Sequence, residues 1–306
     1  MGEGTKPELI EMAKTKIVDT FSECFNMWCA RILITAIDKE IALAAAQSTV
    51  GFATSIIMCS AEAGIEQILS ENETPDGRPG VVIQIWTRRS KQMKDELLTR
   101  ISQCAMTAPT TSVFNYLESG EKSESIGKLI AYFGDGHQKK LQKYSRDIWE
   151  MPVMDGTFEI EETFHFTKGV AGGVILLVGS TTEETLAATR AAVNAIQQSS
   201  AKAITSFPAG ICRAGSKIGS KYSFLNESTN HKFCPTLKEK IADSLLPKEA
   251  NCVYEIVING ITEEEIRKAM KAVIQAVKDD ERILKITSTN YEGELGSIQI
   301  PLKELL

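Results

Sequence analysis

The order of strand-like and helix-like segments recurs along this chain, and the recurrence limits the folds open to it. Residues 30–36 (ARILITA) form an apolar run of strand length, and residues 38–47 (DKEIALAAAQ) have helical apolar spacing with Asp38 at the N-cap. Residues 54–59 (TSIIMC) read as a second short strand. After the turn-rich TPDGRPG, residues 81–86 give a third strand, and residues 91–104 place Met93, Leu97, Leu98, Ile101 and Cys104 on one helical face. Residues 128–133 and 148–153 are expected to close the sheet, with Gly134-Asp135-Gly136 as a tight turn after the first of them.

The second half repeats the order. Residues 174–178 read as a strand, 182–197 as a helix with a threonine cap and a glutamate pair, and 252–259 as a strand. Residues 262–277 follow as a helix with Ile266, Ala269, Met270, Val273, Ile274 and Val277 in one stripe, and Thr262 with Glu265 in capping-box spacing. DTF at 19–21 recurs as ETF at 162–164. The pattern predicts an α+β protein of two ferredoxin-like α/β sandwich lobes, each βαββαβ with predominantly antiparallel sheets. The expected boundaries are 1–150 and 151–306.

Composition narrows the function classes. A chain of 306 residues with 43% hydrophobic content buries an ample core, and at ~150 residues per domain it suggests two domains. Net charge is −6 and the basic residues are scattered, so no continuous positive surface is offered and nucleic-acid binding is not expected. No stretch approaches the ~18 apolar residues of a membrane span, and MGEGTKPELIEM lacks a signal core, so a soluble, cytoplasmic protein is expected. The seven cysteines (Cys24, Cys29, Cys59, Cys104, Cys212, Cys234, Cys252) contain no CxxC pair and read as reduced thiols filling core gaps. His137, His165 and His231 lack the HExxH-like spacing of metal ligands, so no metal site is expected.

One carboxylate stands out against this background. In CVYEIVIN, strand alternation puts Val253, Glu255 and Val257 on one face and Cys252, Tyr254, Ile256 and Ile258 on the other. If that strand is interior, desolvation raises the Glu255 pKa toward neutrality; if it lies at a sheet edge, Glu255 reaches water or a lysine. FPAGICRAGSKIGSK (207–221) is a Gly-rich loop that either holds a carboxylate or phosphate or is a solvated connection. It is a poor P-loop, because Ser216 precedes Lys217 and Pro208 interrupts the strand that should lead into it. TKGVAGG (167–173) lacks GxGxxG spacing and reads as close backbone packing.

Eight segments together resemble formylmethanofuran:tetrahydromethanopterin formyltransferases: GFATSIIMCSAEAGIE (51–66), ETPDGRPGVVI (73–83), SQCAMTAPT (102–110), FGDG (133–136), TKGVAGG, FPAGICRAGSKIGSK, STNHKFCPT (228–236) and CVYEIVING (252–260). The resemblance runs from about Asp19 to the C-terminus. It implies reversible transfer of a formyl group between formylmethanofuran and N5 of tetrahydromethanopterin, with both carriers as substrates and no prosthetic group. It also implies a homo-oligomer built as a dimer of dimers. Glu255 falls where the family has a glutamate implicated in catalysis. Ser55, Glu62, Asp76 and Thr107 lie in or beside matching segments and are candidate substrate contacts, although Asp76-Gly77 and Pro79-Gly80 form turns in any protein. Ser216, Lys217, Ser220 and Lys221 of the SKIGSK loop are candidates for contact with the anionic carriers. Arg78, Arg88, Arg89 and Lys91 are either capture residues for those carriers or ordinary surface charges. Two other readings compete: a formyltransferase-like subunit of a larger hydrolase complex, and a non-catalytic pterin-binding or scaffolding homologue. The chain departs from the family pattern in its first 16 residues, in the lysine-rich 138–143 and in its moderate acidity, so salt-dependent activation is not implied.

Overall fold

The computed structural model describes residues 9–10, 15–213, 217, 219, 221–225 and 230–306. It divides into two compact units, Met27–Gly169 on one hand and Met1–Asn26 with Val170–Leu306 on the other. The boundaries fall inside two long strands.

The first unit is built on β1 (Phe21–Thr35), α1 (Lys39–Thr49), β2 (Glu62–Leu69), β3 (Gly80–Thr87), α2 (Ser90–Arg100) and β4 (Ser112–Asn115). β3 pairs antiparallel with β1 and β2, and β4 pairs antiparallel with β1, which gives the order β2-β3-β1-β4. This is the ferredoxin-like βαββαβ arrangement. Strand alternation assigns the faces: Ile32, Ile34, Ile83 and Ile85 pack with Ala42, Ala45 and Ala46 of α1 and Met93 and Leu97 of α2. The alanines let α1 lie close on the sheet, and Asp38 caps it by accepting from the Ile41 N–H at 2.9 Å. On the opposite face Leu33, Val82 and Phe114 cluster with Leu69 and Ile148.

The second unit uses the same plan. Its elements are β5 (Phe164–Gly179), α3 (Thr182–Gln198), β6 (Ala203–Thr205), β7 (Cys252–Gly260), α4 (Glu263–Val277) and β8 (Ile283–Thr287). The order is β6-β7-β5-β8, every pair antiparallel. Ile266, Ala269, Met270, Val273, Ile274 and Val277 are all buried, as their helical spacing predicts. The capping box forms by half: Thr262 Oγ1 accepts from the Glu265 N–H at 3.2 Å, but the Glu265 carboxylate turns to the Lys202 N–H at 2.9 Å. In TKGVAGG, Gly172 sits at φ +86° where the β5–β7 register shifts, and a Cβ on Gly173 would lie 2.8 Å from Ile266 Cδ1. The glycines thus permit a bulge and a close helix–strand approach.

The N-terminal segment joins this second unit through strand pairing, since Lys16–Val18 runs parallel to β8 and Ile298–Pro301 pairs with the start of β1. The division therefore differs from the lobes 1–150 and 151–306 expected from the sequence, with residues 1–26 grouped apart from those that follow.

Several sequence expectations need correction. Thr54–Cys59 is a turn, with Met58 and Cys59 both donating to the Ser55 carbonyl, and Ile57 and Met58 are exposed. The strand beside β3 starts later, at Glu62, and a short apolar run by itself does not distinguish strand from turn. Residues 128–133 are not a strand either. The chain is helical over Ile126–Ala131 and continues as a 3₁₀ turn, because Ile126, Ile130 and Ala131 bury at helical spacing. β4, the actual closing strand of the first unit, went unread. The second helix stops at Arg100 and widens into one π turn, Ile101–Ala105, so Ala105 turns inward where Cys104 was expected.

Candidate active site

β7 is an interior strand at Glu255, which rejects the sheet-edge alternative. Leu176 of β5 lies opposite Glu255 on one side. On the other, Cys212 forms a bridge in which the Cys212 N–H donates to the Glu255 carbonyl at 2.8 Å and the Glu255 N–H donates to the Cys212 carbonyl at 3.0 Å. The Pro208–Gly210 turn brings Cys212 there. Gly210 adopts φ +75°, and a Cβ on it would meet Val193 and Thr205 side chains within 2.7 Å, so the bend needs glycine.

Alternation then sets the surroundings of the carboxyl. Ile256 and Ile258 point into the core beneath α3 and α4. Glu255 shares the other face with Val253, which packs with Leu176, Val178, Phe233 and Ala250. The residue keeps a partial opening to solvent at its surface, yet protein atoms surround the carboxyl densely. Burial pushes its pKa up to about 7, opposed by a hydrogen bond from the Cys212 thiol. Cys212 is itself pushed up to about 12, first by burial and then by the Glu255 charge, so its sulfur stays protonated. A carboxyl poised near neutrality beside an apolar face can give or withhold a proton at working pH.

The SKIGSK candidates are only partly described. Lys217 donates to the Leu225 carbonyl at 2.7 Å, and Lys221 is exposed with its ammonium 5.6 Å from the Tyr222 ring centroid. Ser216 and Ser220 lie outside the described residues.

In the first unit, Ser55 and Glu62 belong to one hydrogen-bonded loop: the Ile56 N–H donates to Glu62 Oε1 at 3.1 Å and the Ile57 N–H to Ser55 Oγ at 3.3 Å. Phe52, at φ +47°, is 83% exposed in the same loop. Asp76 accepts from Thr35 Oγ1 at 2.6 Å and from Arg78 Nε at 2.8 Å, while Arg78 reaches the Thr110 carbonyl and Ser112 Oγ. Both therefore knot the end of β1 to the entry of β4. Thr107 is exposed, with its hydroxyl donating to the Gln103 carbonyl at 2.9 Å beyond the π turn. Arg88, Arg89 and Lys91 are exposed around the start of α2.

Sequence reading missed two buried polar systems. Arg31, Glu66 and Gln84 connect β1, β2 and β3 on the face away from the helices, and Trp86 Nε1 donates to Gln84 Oε1 at 2.9 Å. In the other unit the Glu23 carboxylate gathers the backbone N–H groups of Tyr291, Leu295 and Gly296. The only available signal was a charged residue inside an otherwise apolar strand. Among the described residues, no three His, Cys, Asp or Glu side chains form a metal-binding group.

The profile of the family described as formylmethanofuran-tetrahydromethanopterin formyltransferase matches residues 10–153, and the one described as FTR, proximal lobe matches residues 156–305. The formylmethanofuran–tetrahydromethanopterin formyltransferase of Methanosarcina barkeri is 46% identical over 297 residues, covering 97% of this chain and 100% of that one. That of Methanocaldococcus jannaschii is 43% identical over 300 residues, covering 97% and 99%. A solved Methanosarcina barkeri formyltransferase superposes with a TM-score of 0.92 at 44% identity, over 97% of this chain and 100% of that chain. A chain of the Methylorubrum extorquens formyltransferase/hydrolase complex, solved with methylofuran, gives 0.90 at 38% identity over 98% and 99%. With profiles covering both halves and relatives aligned along nearly the whole chain, the protein belongs to the formylmethanofuran–tetrahydromethanopterin formyltransferase family.

Proposed function

We propose that this protein catalyses the reversible transfer of a formyl group between formylmethanofuran and N5 of tetrahydromethanopterin, with Glu255 as its proton-handling residue. Full-length kinship supports the reaction, and the interior carboxyl near pKa 7 supports the residue. The pterin nitrogen attacks the formyl carbon of the amide and a tetrahedral oxyanion forms. The attacking N5 gives up its proton and the methanofuran amine leaves carrying one, so no net proton is consumed; the amine leaves readily only when protonated. A neutral Glu255 carboxyl supplies the hydrogen bond or the proton, a contribution worth ~10²–10⁴ in rate for a general acid. Holding two large carriers together supplies much of the remainder.

Ser55, Glu62, Asp76, Thr107, Ser216, Lys217, Ser220 and Lys221 are proposed substrate-binding residues. Formyl transfer by the purified chain, with both carriers and no added metal or nucleotide, tests the reaction. Absence of transfer with both carriers saturating would refute it.

The likeness to a chain of a formyltransferase/hydrolase complex favours a second reading of the assembly, in which this protein works beside hydrolase subunits. The first reading is a free cytoplasmic homotetramer built as a dimer of dimers. Sedimentation of the native protein distinguishes them: one species of four identical chains supports the first, and copurifying unlike subunits support the second.

A further inference from the structure

The bridge between Cys212 and Glu255 does more than extend the sheet. In an antiparallel pair, two residues that exchange both backbone hydrogen bonds carry their side chains on the same face, with Cβ atoms about 4.5–5.5 Å apart. Cys212 and Glu255 exchange both bonds, so the thiol is delivered to the carboxyl by the backbone rather than by a flexible side chain.

Little else described around the carboxyl competes for it. Lys285 on β8 donates to the Leu245 carbonyl at 2.8 Å, and His231 in the segment bearing Phe233 pairs with Asp243 Oδ2 at 3.0 Å. Lys217 is engaged by Leu225 and Lys221 by Tyr222, and Arg213 next to Cys212 is exposed. Among the described residues, burial and the Cys212 thiol are the influences on the Glu255 carboxyl.

We propose that Cys212 is a positioning residue for formyl transfer: its protonated thiol donates to one Glu255 oxygen and holds the carboxyl in a single orientation, leaving the other oxygen to face substrate. The assignment rests on the catalytic reading of Glu255. The thiol acts as a hydrogen-bond donor and not as a nucleophile, since it remains protonated far above neutral pH. No formyl group passes through sulfur, and the proton given to the leaving amine comes from Glu255.

The test compares Cys212→Ala with Cys212→Ser. Removing the donor should lower kcat about tenfold with KM nearly unchanged, the scale expected for losing one hydrogen bond to an ionisable group. It should also move the high-pH limb of kcat upward, because a donor favours the carboxylate form and its loss favours the acid. Serine keeps a donor at the same place and should restore both. A serine variant as impaired as alanine, or an alanine variant whose limb does not move while kcat falls in step with melting temperature, would overturn the proposal.

Infrared difference titration of the Glu255 carboxyl band separates this failure from failure of the catalytic reading. If the thiol is the donor, the band titrates higher in Cys212→Ala whatever Glu255 does in turnover; an unmoved band overturns the proposal. Near-wild-type turnover in Glu255→Ala would instead sink the catalytic reading.

Discussion

Arg31 and Glu66 form a forked ion pair inside the first unit, with Nε to Oε2 at 2.8 Å and Nη2 to Oε1 at 2.5 Å, and their side chains are only 7% and 2% exposed. Gln84 Nε2 donates to the same carboxylate at 2.7 Å, and Arg31 Nη1 donates to the Tyr116 carbonyl at 3.0 Å. The pair ties β1 to β2 across the intervening β3. Breaking it on one side leaves a buried charge without its partner, so Glu66→Ala should cost about 3–5 kcal/mol. The double variant Arg31→Met/Glu66→Leu should recover most of that loss. Denaturant melts of the three proteins check this, and a double variant as unstable as the single one would show that the polar network specifies the fold.

For Glu255, the Gln and Ala variants separate two roles. Gln keeps size and hydrogen-bond donation, so if Glu255 transfers a proton both should lose ~10²–10⁴ in kcat, whereas if it only donates to the oxyanion Gln should retain far more activity. Near-wild-type turnover in Glu255→Ala at saturating carriers would rule out any catalytic role.

The same residue makes a stability prediction. Its folded pKa is about 7 against an ordinary 4.5, so the neutral form is favoured in the fold. The sign follows: its contribution is fully present below pH 4.5 and is lost as pH rises through 7. Glu255→Gln should therefore be more stable than the natural protein at pH 8, with the difference vanishing at low pH. Melting curves across that range would contradict this if the gap were constant.

Glu23 should behave in the opposite sense. Burial raises its pKa, but the backbone N–H groups of Tyr291, Gly296, Leu295 and Gly293 together outweigh burial and leave it below the usual 4.5. Its stabilisation is present above pH 4.5 and lost as pH falls through the depressed value. Glu23→Gln should cost about 1.5–3 kcal/mol at neutral pH and much less in acid. Hydrogen exchange should show faster opening of residues 291–296. An undisturbed segment would mean the carboxylate does not hold it.

Two glycines should differ in what an added methyl costs. At Gly173 a Cβ meets the ends of the flexible Ile266 and Met270 side chains, whereas at Gly260 it would lie 2.5 Å from the Ile266 backbone nitrogen. Gly173→Ala should cost about 1–3 kcal/mol, the usual range for overpacking. Gly260→Ala should cost more, because α4 must move off β7. Thermal melts giving the reverse ranking would place the close approach elsewhere.

What the sequence determined by itself was what repeats locally. The stripe from Ile266 to Val277, the Asp38 and Thr262 caps and the apolar run of residues 81–86 depend on neighbours a few positions away, and these were legible. Strand alternation over residues 252–259 singled out Glu255 as a carboxyl among valines. Tertiary structure decided what depends on distant partners. Thr54–Cys59 is a turn because β2, starting at Glu62, takes the edge of β3, and Lys16–Val18 belongs with β8, more than 260 residues away. It also decided that Glu255 is interior, since only the return of the chain after Gly210 puts Cys212 on the open side of β7. A strand's period reveals which side chains share a face, but not which distant segments will cover that face and its edge, and burial is what moves the Glu255 pKa toward neutrality.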